Sequence, residues 1–356
     1  MKEKGKRLLY LDLIRTIAVI CVFVVHFSRQ CDYDGVLCNQ YRILPDYIFG
    51  VYLGSYGVSL FFIVSGASLM YVYRERFKIG EYLKKRFGGI YPMFWIAFAI
   101  VLLLRFYINR EFVFECPKWA IIYTILGIDG YVNWLTPTFY MVGEWFLGCI
   151  ILIYLLFPIL RIGVLKKPKL TAILALAVYV FGGIFFQSAM PTDALFILRV
   201  PEVLVGMYFI TYFHEVKPVV AAIAAGFLAV CAFLNPSWIP TIWIAPVVGV
   251  ASFLVITFLS KFIECKLVNG ISFTIGKYCY AIFLSHHIII KVIMSRFQGY
   301  PRELRKSEVW LLLIVCACVT AVVSVLLFNL NKKVCDSLKG LFRKDEPTKV
   351  TGNEKK

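Results

Sequence analysis

Ten stretches of about 20 mostly apolar residues recur along this chain, and no other feature restricts its fold as strongly. They cover residues 8–27, 47–71, 90–107, 139–160, 170–187, 195–213, 218–234, 239–259, 271–294 and 309–330. In lipid, such a segment can satisfy its own backbone N–H and C=O groups only as a helix. The expected fold is therefore all-α: a polytopic membrane bundle of about ten transmembrane helices. Composition agrees, because 60% of the 356 residues are hydrophobic and 17% are charged. A soluble globular enzyme, a disordered chain and a collagen-like chain are excluded by that balance. A shorter apolar stretch, 119–128, is too brief to span and is expected at the interface or as a re-entrant helix.

The basic residues at 1–7 followed by an apolar run imitate a secretory signal. Asp12, Arg15 and His26 interrupt that run, and no small-residue cleavage site follows. It reads as a retained first helix.

The formal net charge is +17. In a soluble chain this would suggest nucleic acid. Here the cations flank apolar runs, with no basic-aromatic platform and no zinc-finger spacing, so no nucleic-acid partner is expected. Most of the 38 Lys and Arg lie on one side of the ten-span arrangement. They include Lys2, Lys4, Lys6 and Arg7, the run from Arg74 to Arg86, and the tail. Both termini are then cytoplasmic. Residues 1–330 form the membrane domain, and 331–356 a basic cytoplasmic tail suited to the membrane surface. Most of the 11 cysteines sit in apolar runs as small hydrophobes. There is no CxxC pair, and no metal site is expected. Cys31 and Cys38 share a loop in which a disulfide is one possibility.

Ionisable groups at bilayer depth are costly and mark function by default. Arg15 and His26 are eleven positions apart on the first span. At about 100° per residue they differ by roughly 20° around the helix, so both project from one face. Asp12, three residues before Arg15, lies near the same face. Snorkelling of each end is the competing reading, and the shared stripe argues against it. The axial separation of Arg15 and His26 is roughly 16 Å. That suits a long substrate with a cation at one end and a proton acceptor at the other.

Other polar residues carry paired readings. Ser65, in the segment from Gly57 to Gly66, is either part of a close-packing surface or a hydrogen-bond partner or nucleophile. Lys85 and Arg86 either anchor the third span or grip donor phosphates. Pro92 there suits an early helical position. Glu144 and Trp145 either anchor an interface or bind a sugar acceptor, the carboxylate to a hydroxyl or imidazole and the indole to a ring face. Arg199 and Glu202, at i,i+3, suggest a structural ion pair. His286 and His287 are adjacent in the ninth span, so at most one is expected to face the core. His214 has no assigned role.

In order, these segments resemble integral-membrane acyltransferase family three, bacterial membrane O-acetyltransferases acting on cell-surface sugars. The resemblance is carried by Tyr10-Leu-Asp12-Leu-Ile-Arg15 with His26, by the segment Gly57 to Gly66, and by Lys85-Arg86 leading to Ile90-Tyr91-Pro92. It continues in Trp145-Phe146-Leu147 with Tyr154 and Pro158, and in Tyr278-Cys-Tyr280-Ala-Ile-Phe-Leu-Ser-His286. It spans roughly residues 8–330. Gly89 stands where the family often has a second Arg, with Lys84 and Lys85 as substitutes. Ile150 stands where many members have Glu. The soluble domain of some members is lacking, which points to a partner enzyme or a lipid-linked glycan.

The resemblance implies a multi-pass protein of the bacterial plasma membrane, with no bound cofactor and acetyl-CoA or another acyl-CoA as donor substrate. The acceptor is a hydroxyl of an extracytoplasmic or lipid-linked glycan, and membrane lipid is the remaining partner. In this reading Arg15, Lys85, Arg86 and Ser65 bind the donor. His26 acts as base or acyl carrier, Asp12 positions Arg15, and Glu144, Trp145 and His286 meet the acceptor. The rival class is a transporter or flippase of a lipid-linked saccharide, with the same residues along its path.

Overall fold

The structure is a computed structural model. It describes residues 8–36, 45–110, 114–187, 189–299, 302 and 304–344. The chain is helical almost throughout, as lipid requires of its backbone. The first half contains α1 (Leu9–Tyr33), α2 (Leu53–Tyr73) and α3 (Ile79–Asn109). Short helices α4 (Ile121–Ile125) and α5 (Asp129–Val132) follow, then α6 (Glu144–Lys166) and α7 (Pro168–Phe185). The second half contains α8 (Val200–Tyr208), α9 (Pro218–Leu234), α10 (Thr241–Leu259), α11 (Lys266–Met294) and α12 (Lys306–Lys344). One two-stranded hairpin, β1 (Tyr47–Ile48) with β2 (Val51–Tyr52), precedes α2.

Among the described residues, nine helical segments are long and apolar enough to cross a membrane, and α9 is a shorter apolar tenth. The fold is thus an all-α polytopic bundle. Hydropathy located these spans but not their ends. The third span, expected from residue 90, begins at Ile79. Hydropathy marks only the lipid-embedded part of a helix, and polar turns continue the same helix where water replaces lipid. Lys85 and Arg86 therefore sit within α3, and Pro92 lies inside it rather than in its first turn. For the same reason α12 continues past residue 330. The sixth span is broken: a 3-10 turn, Phe196–Arg199, leads into α8, and a π-helical turn, Phe209–Phe213, ends it. Cys38 and the cations at positions 2, 4, 6 and 7 lie outside the described residues.

The core surrounds α2, which packs on α1, α8 and α10, while α11 joins α1 to α12. α7 lies at the opposite extreme, with Leu174, Phe181 and Phe185 exposed as lipid-facing side chains. α2 and α8 approach at backbone distance. A Cβ on Gly66 would fall 1.9 Å from the Val203 carbonyl oxygen, and one on Gly206 would fall 1.9 Å from that of Ile63. Small residues permit such crossings in lipid, where packing and hydrogen bonding replace the hydrophobic effect. Beside the crossing, Arg199 is fully buried. Its Nη1 donates to both Glu202 carboxylate oxygens at 3.3 Å, and its Nε to the Asp193 carbonyl at 2.6 Å. The sequence-expected ion pair is structural. At the amino-terminal end of the bundle, Arg161 donates to the last carbonyls of α2, at Tyr73 and Arg74.

Replacing Gly206 by Val should abolish the α2–α8 contact. The expected result is a loss of monodisperse protein, or a fall in melting temperature equivalent to at least about 3 kcal/mol of overpacking, read by size exclusion and thermal denaturation. Gly226→Ala, at a site where a Cβ meets open space, should leave both unchanged.

Candidate active site

α1 and α11 run side by side, and their contact organises the site. His286 Nδ1 faces two backbone carbonyls of its own helix, Ile282 at 3.0 Å and Phe283 at 2.9 Å. A carbonyl only accepts, so Nδ1 carries the proton and Nε2 is left with a lone pair. That Nε2 lies 3.1 Å from His26 Nδ1. His26 must then donate through Nδ1, which leaves its own Nε2 as a lone-pair base. The two rings are stacked, with centroids 5.0 Å apart.

His287 joins them. Its ring centroid is also 5.0 Å from that of His26, and its Nδ1 is hydrogen-bonded to Glu144 Oε1. The expectation that only one of the adjacent histidines faces the core is corrected. Their directions differ by about 100°, and the cluster straddles that angle, with His26 between them. Glu144 is held in an unusual backbone conformation, φ 39°, directly after Gly143 at φ 99°. A non-glycine residue with positive φ persists only where its surroundings over-determine it. Here α5 does so, because Gly130 packs so closely that a Cβ would sit 2.8 Å from the Glu144 carbonyl.

The ligand atoms of His26, Glu144 and His287 lie within 4.8 Å of one another, close enough to grip a divalent cation. Within this cluster His26 Nδ1 is paired with His286 Nε2 and His287 Nδ1 with Glu144 Oε1, two hydrogen bonds that make it a proton-sharing group as well.

A second cluster lies nearer the amino-terminal end. Arg15 Nη1 donates to Asp12 Oδ1 at 2.8 Å, and Nη2 donates to Ser68 Oγ. Arg15 lines a groove of about 390 Å³ together with Ser65, Lys85, Arg86, Tyr154 and Lys277. Four cationic side chains thus converge on one cavity. Arg86 is sandwiched over the rings of Tyr73 and Tyr154, and its buried Nε has no hydrogen-bond partner among the described residues. Gly89 and Ile150, the two departures from the family pattern, line the same groove. Lys277 supplies a cation from α11 that α3 lacks at Gly89. A larger cavity of about 670 Å³, between Tyr10, Arg74 and His214, contains neither cluster.

Between the clusters lies a small void of about 20 Å³. It shares Phe61, Cys279 and Phe283 with the groove and touches His286. On the other side, a cleft of about 520 Å³ reaches His287 and Tyr140. Trp145 lines neither cavity and packs edge-on against Phe146.

The structure therefore brings together His26, Glu144 and His286 in one cluster, and Asp12, Arg15, Ser65, Lys85 and Arg86 around the groove. Sequence reasoning missed His287, Ser68 and Lys277. Ser68 was legible as the position one turn after Ser65 on the same face. Lys277 carried no signal of its own, because a single Lys within an apolar span does not say which neighbouring helix it faces.

Burial pushes the Asp129 carboxyl up to about 6, against hydrogen bonds from Gly130 N and Thr124 Oγ1 that act to lower it. A raised folded-state value favours the protonated form. Its stabilising contribution is complete below the usual value of about 4 and is lost as pH rises through about 6. Asp129→Asn should then melt higher than wild type at pH 7.5, and the difference should disappear at pH 4.

The model of the acyltransferase-domain family matches residues 8–329. The acyltransferase MdmB of Streptomyces mycarofaciens is 23% identical over 373 aligned residues, which cover 96% of this chain and 94% of that protein. No solved structure matches significantly.

Proposed function

The chain belongs to the acyltransferase-domain family, and from that premise we propose that it transfers an acetyl or related acyl group from a cytoplasmic acyl-CoA to a hydroxyl of a glycan at the opposite membrane face. It is a multi-pass membrane acyltransferase; the donor, the acceptor and the orientation are our reading. The observation that carries it is the stripe on α1, where one helix face delivers Arg15 to a four-cation groove and His26 to a proton network.

Donor phosphates belong with Arg86, Lys85 and Lys277, since guanidinium and ammonium groups are the natural phosphate partners. Arg15 is about 16 Å from His26 along the helix and is tied to Asp12 and Ser68, so its role is to hold the donor rather than the reacting oxyanion. The pantetheine arm then runs past Phe61 and Phe283 toward His286. The acceptor hydroxyl attacks the thioester carbonyl carbon and its proton passes to His26 Nε2. The tetrahedral intermediate collapses with cleavage of the C–S bond, and the departing thiolate takes the proton from the His26 imidazolium. Throughout, His286 accepts from His26 Nδ1 and keeps the base in the productive tautomer. Glu144, through His287, is the carboxylate beside the transient imidazolium.

Purified protein should release CoA from acetyl-CoA. His26→Ala should lower that rate at least about 100-fold, as expected for loss of a general base. A folded His26→Ala protein with the wild-type rate would sink this mechanism. Arg86→Ala and Lys277→Ala should instead raise KM for acetyl-CoA, each about tenfold, with kcat little changed. Dialysis against EDTA should leave the wild-type rate intact, because the histidine–carboxylate cluster works as a proton network; loss of activity restored by Zn²⁺ would assign it to metal instead.

A further inference from the structure

The histidine cluster has the make-up of a transition-metal ligand set as well as that of a proton network. A ring nitrogen of His26, one of His287 and a carboxylate oxygen of Glu144 lie within 4.8 Å of one another. In a tetrahedral zinc site neighbouring ligand atoms are roughly 3.4 Å apart, so the widest gap exceeds the ideal by at most about 1.4 Å. Side-chain rotation covers that distance, while the Glu144–His287 contact opens to admit the ion. The surrounding shell is already that of a ligated imidazole. A metal-bound histidine as a rule donates its second ring N–H to a fixed acceptor. His26 Nδ1 donates in this way to His286 Nε2 at 3.1 Å, and His286 is anchored in turn to the carbonyls of Ile282 and Phe283. Glu144 is aimed by its φ of 39° and by Gly130 packed against its carbonyl, and strain of that kind collects at ligand clamps. His287, with 39% of its side chain exposed, lines the cleft of about 520 Å³, which gives an ion a path in.

We infer that His26, Glu144 and His287 form a binding site for Zn²⁺ or a similar divalent transition-metal ion, and that the ion acts there as an inhibitor. Two imidazoles and one carboxylate suit the borderline ions Zn²⁺ and Co²⁺. Mg²⁺ and Ca²⁺ need more oxygen ligands than one carboxylate supplies. Binding is an exchange. The ion takes the lone pair of His26 and replaces the proton that His287 and Glu144 share, which passes to the other ring nitrogen of His287 or to water. In the acyl-transfer reading that same lone pair receives the proton of the acceptor hydroxyl. Metal and proton then compete for one pair of electrons, and the loaded enzyme has no base. The inhibition rests on the acyl-transfer reading and deepens it by naming what regulates the site; the binding of the metal is independent of it.

The test uses full-length protein, purified through a tag without histidine and titrated with Co²⁺. One equivalent should give the strong visible bands of four- or five-coordinate cobalt, without a sulfur charge-transfer band, and Zn²⁺ should remove them. Saturating Zn²⁺ should slow CoA release at least about 100-fold, the same loss as removing the base. EDTA should restore the rate, and Mg²⁺ should not change it. Glu144→Gln and His287→Gln should each weaken Co²⁺ binding at least about tenfold. His214→Ala, at the one histidine outside the cluster, should bind Co²⁺ as wild type does. Only the weak bands of octahedral cobalt in wild type, a result that needs no variant, overturn the proposal. So does unchanged Co²⁺ affinity in folded Glu144→Gln, or loss of binding in His214→Ala. Cobalt at the cluster without inhibition by Zn²⁺, or CoA release that depends on the ion, overturns the inhibitory role. Wild type that binds Co²⁺ at the cluster yet releases no CoA with the metal stripped away refutes the acyl-transfer reading and leaves the metal site standing, so the two failures are distinguishable.

Discussion

At the crossing of α2 with α8, two glycines replace what would otherwise be a collision of side chain with backbone. Gly66 and Gly206 each lie against a carbonyl oxygen of the other helix. Water does not drive helices together inside a bilayer, so close van der Waals approach must do so. This contact allows α2 to occupy the centre of the bundle. With α2 fixed, α1 has a surface to pack on, and the polar stripe of α1 is turned toward Ser68 and the cationic groove instead of toward lipid. The buried Arg199–Glu202 pair beside the crossing has the same consequence. A buried ion pair adds little net stability but penalises any arrangement that separates it.

Around this frame the clustered histidines are fixed by hydrogen bonds whose direction can be worked out. The carbonyls of Ile282 and Phe283 determine where the proton sits on His286, and His286 in turn determines where it sits on His26. The position of the proton on His26 is therefore set by a backbone feature two steps removed from it. Glu144 is prepared differently, through a strained φ held by the packing of α5. Strain of this kind concentrates where a side chain must be aimed against its backbone preference.

The two cavities differ in the way their positions demand. The groove near the termini gathers four cations with little exposed lipid-facing wall, which suits a phosphate-rich soluble donor. The cleft at the other end combines two cations with aliphatic side chains open to the bilayer. Between the groove and the histidines lies a void of about 20 Å³ lined by Phe61, Phe283 and Cys279.

Much of this was legible in the sequence. Apolar run length determined the helix count, because the bilayer has a fixed thickness and leaves the backbone no other fold. The eleven-residue interval between Arg15 and His26 determined their common face, because helix geometry is the same everywhere. Asp12 beside Arg15 followed from the same geometry. What the sequence did not determine was any relation between helices. That both His286 and His287 meet His26, that Lys277 on α11 stands in the groove beside Gly89 on α3, and that Arg105 and Lys291 line one cleft are facts of packing. Period and composition describe a single helix and its solvent. Which faces meet depends on where small residues let backbones approach, and that was decided only when the whole bundle had closed.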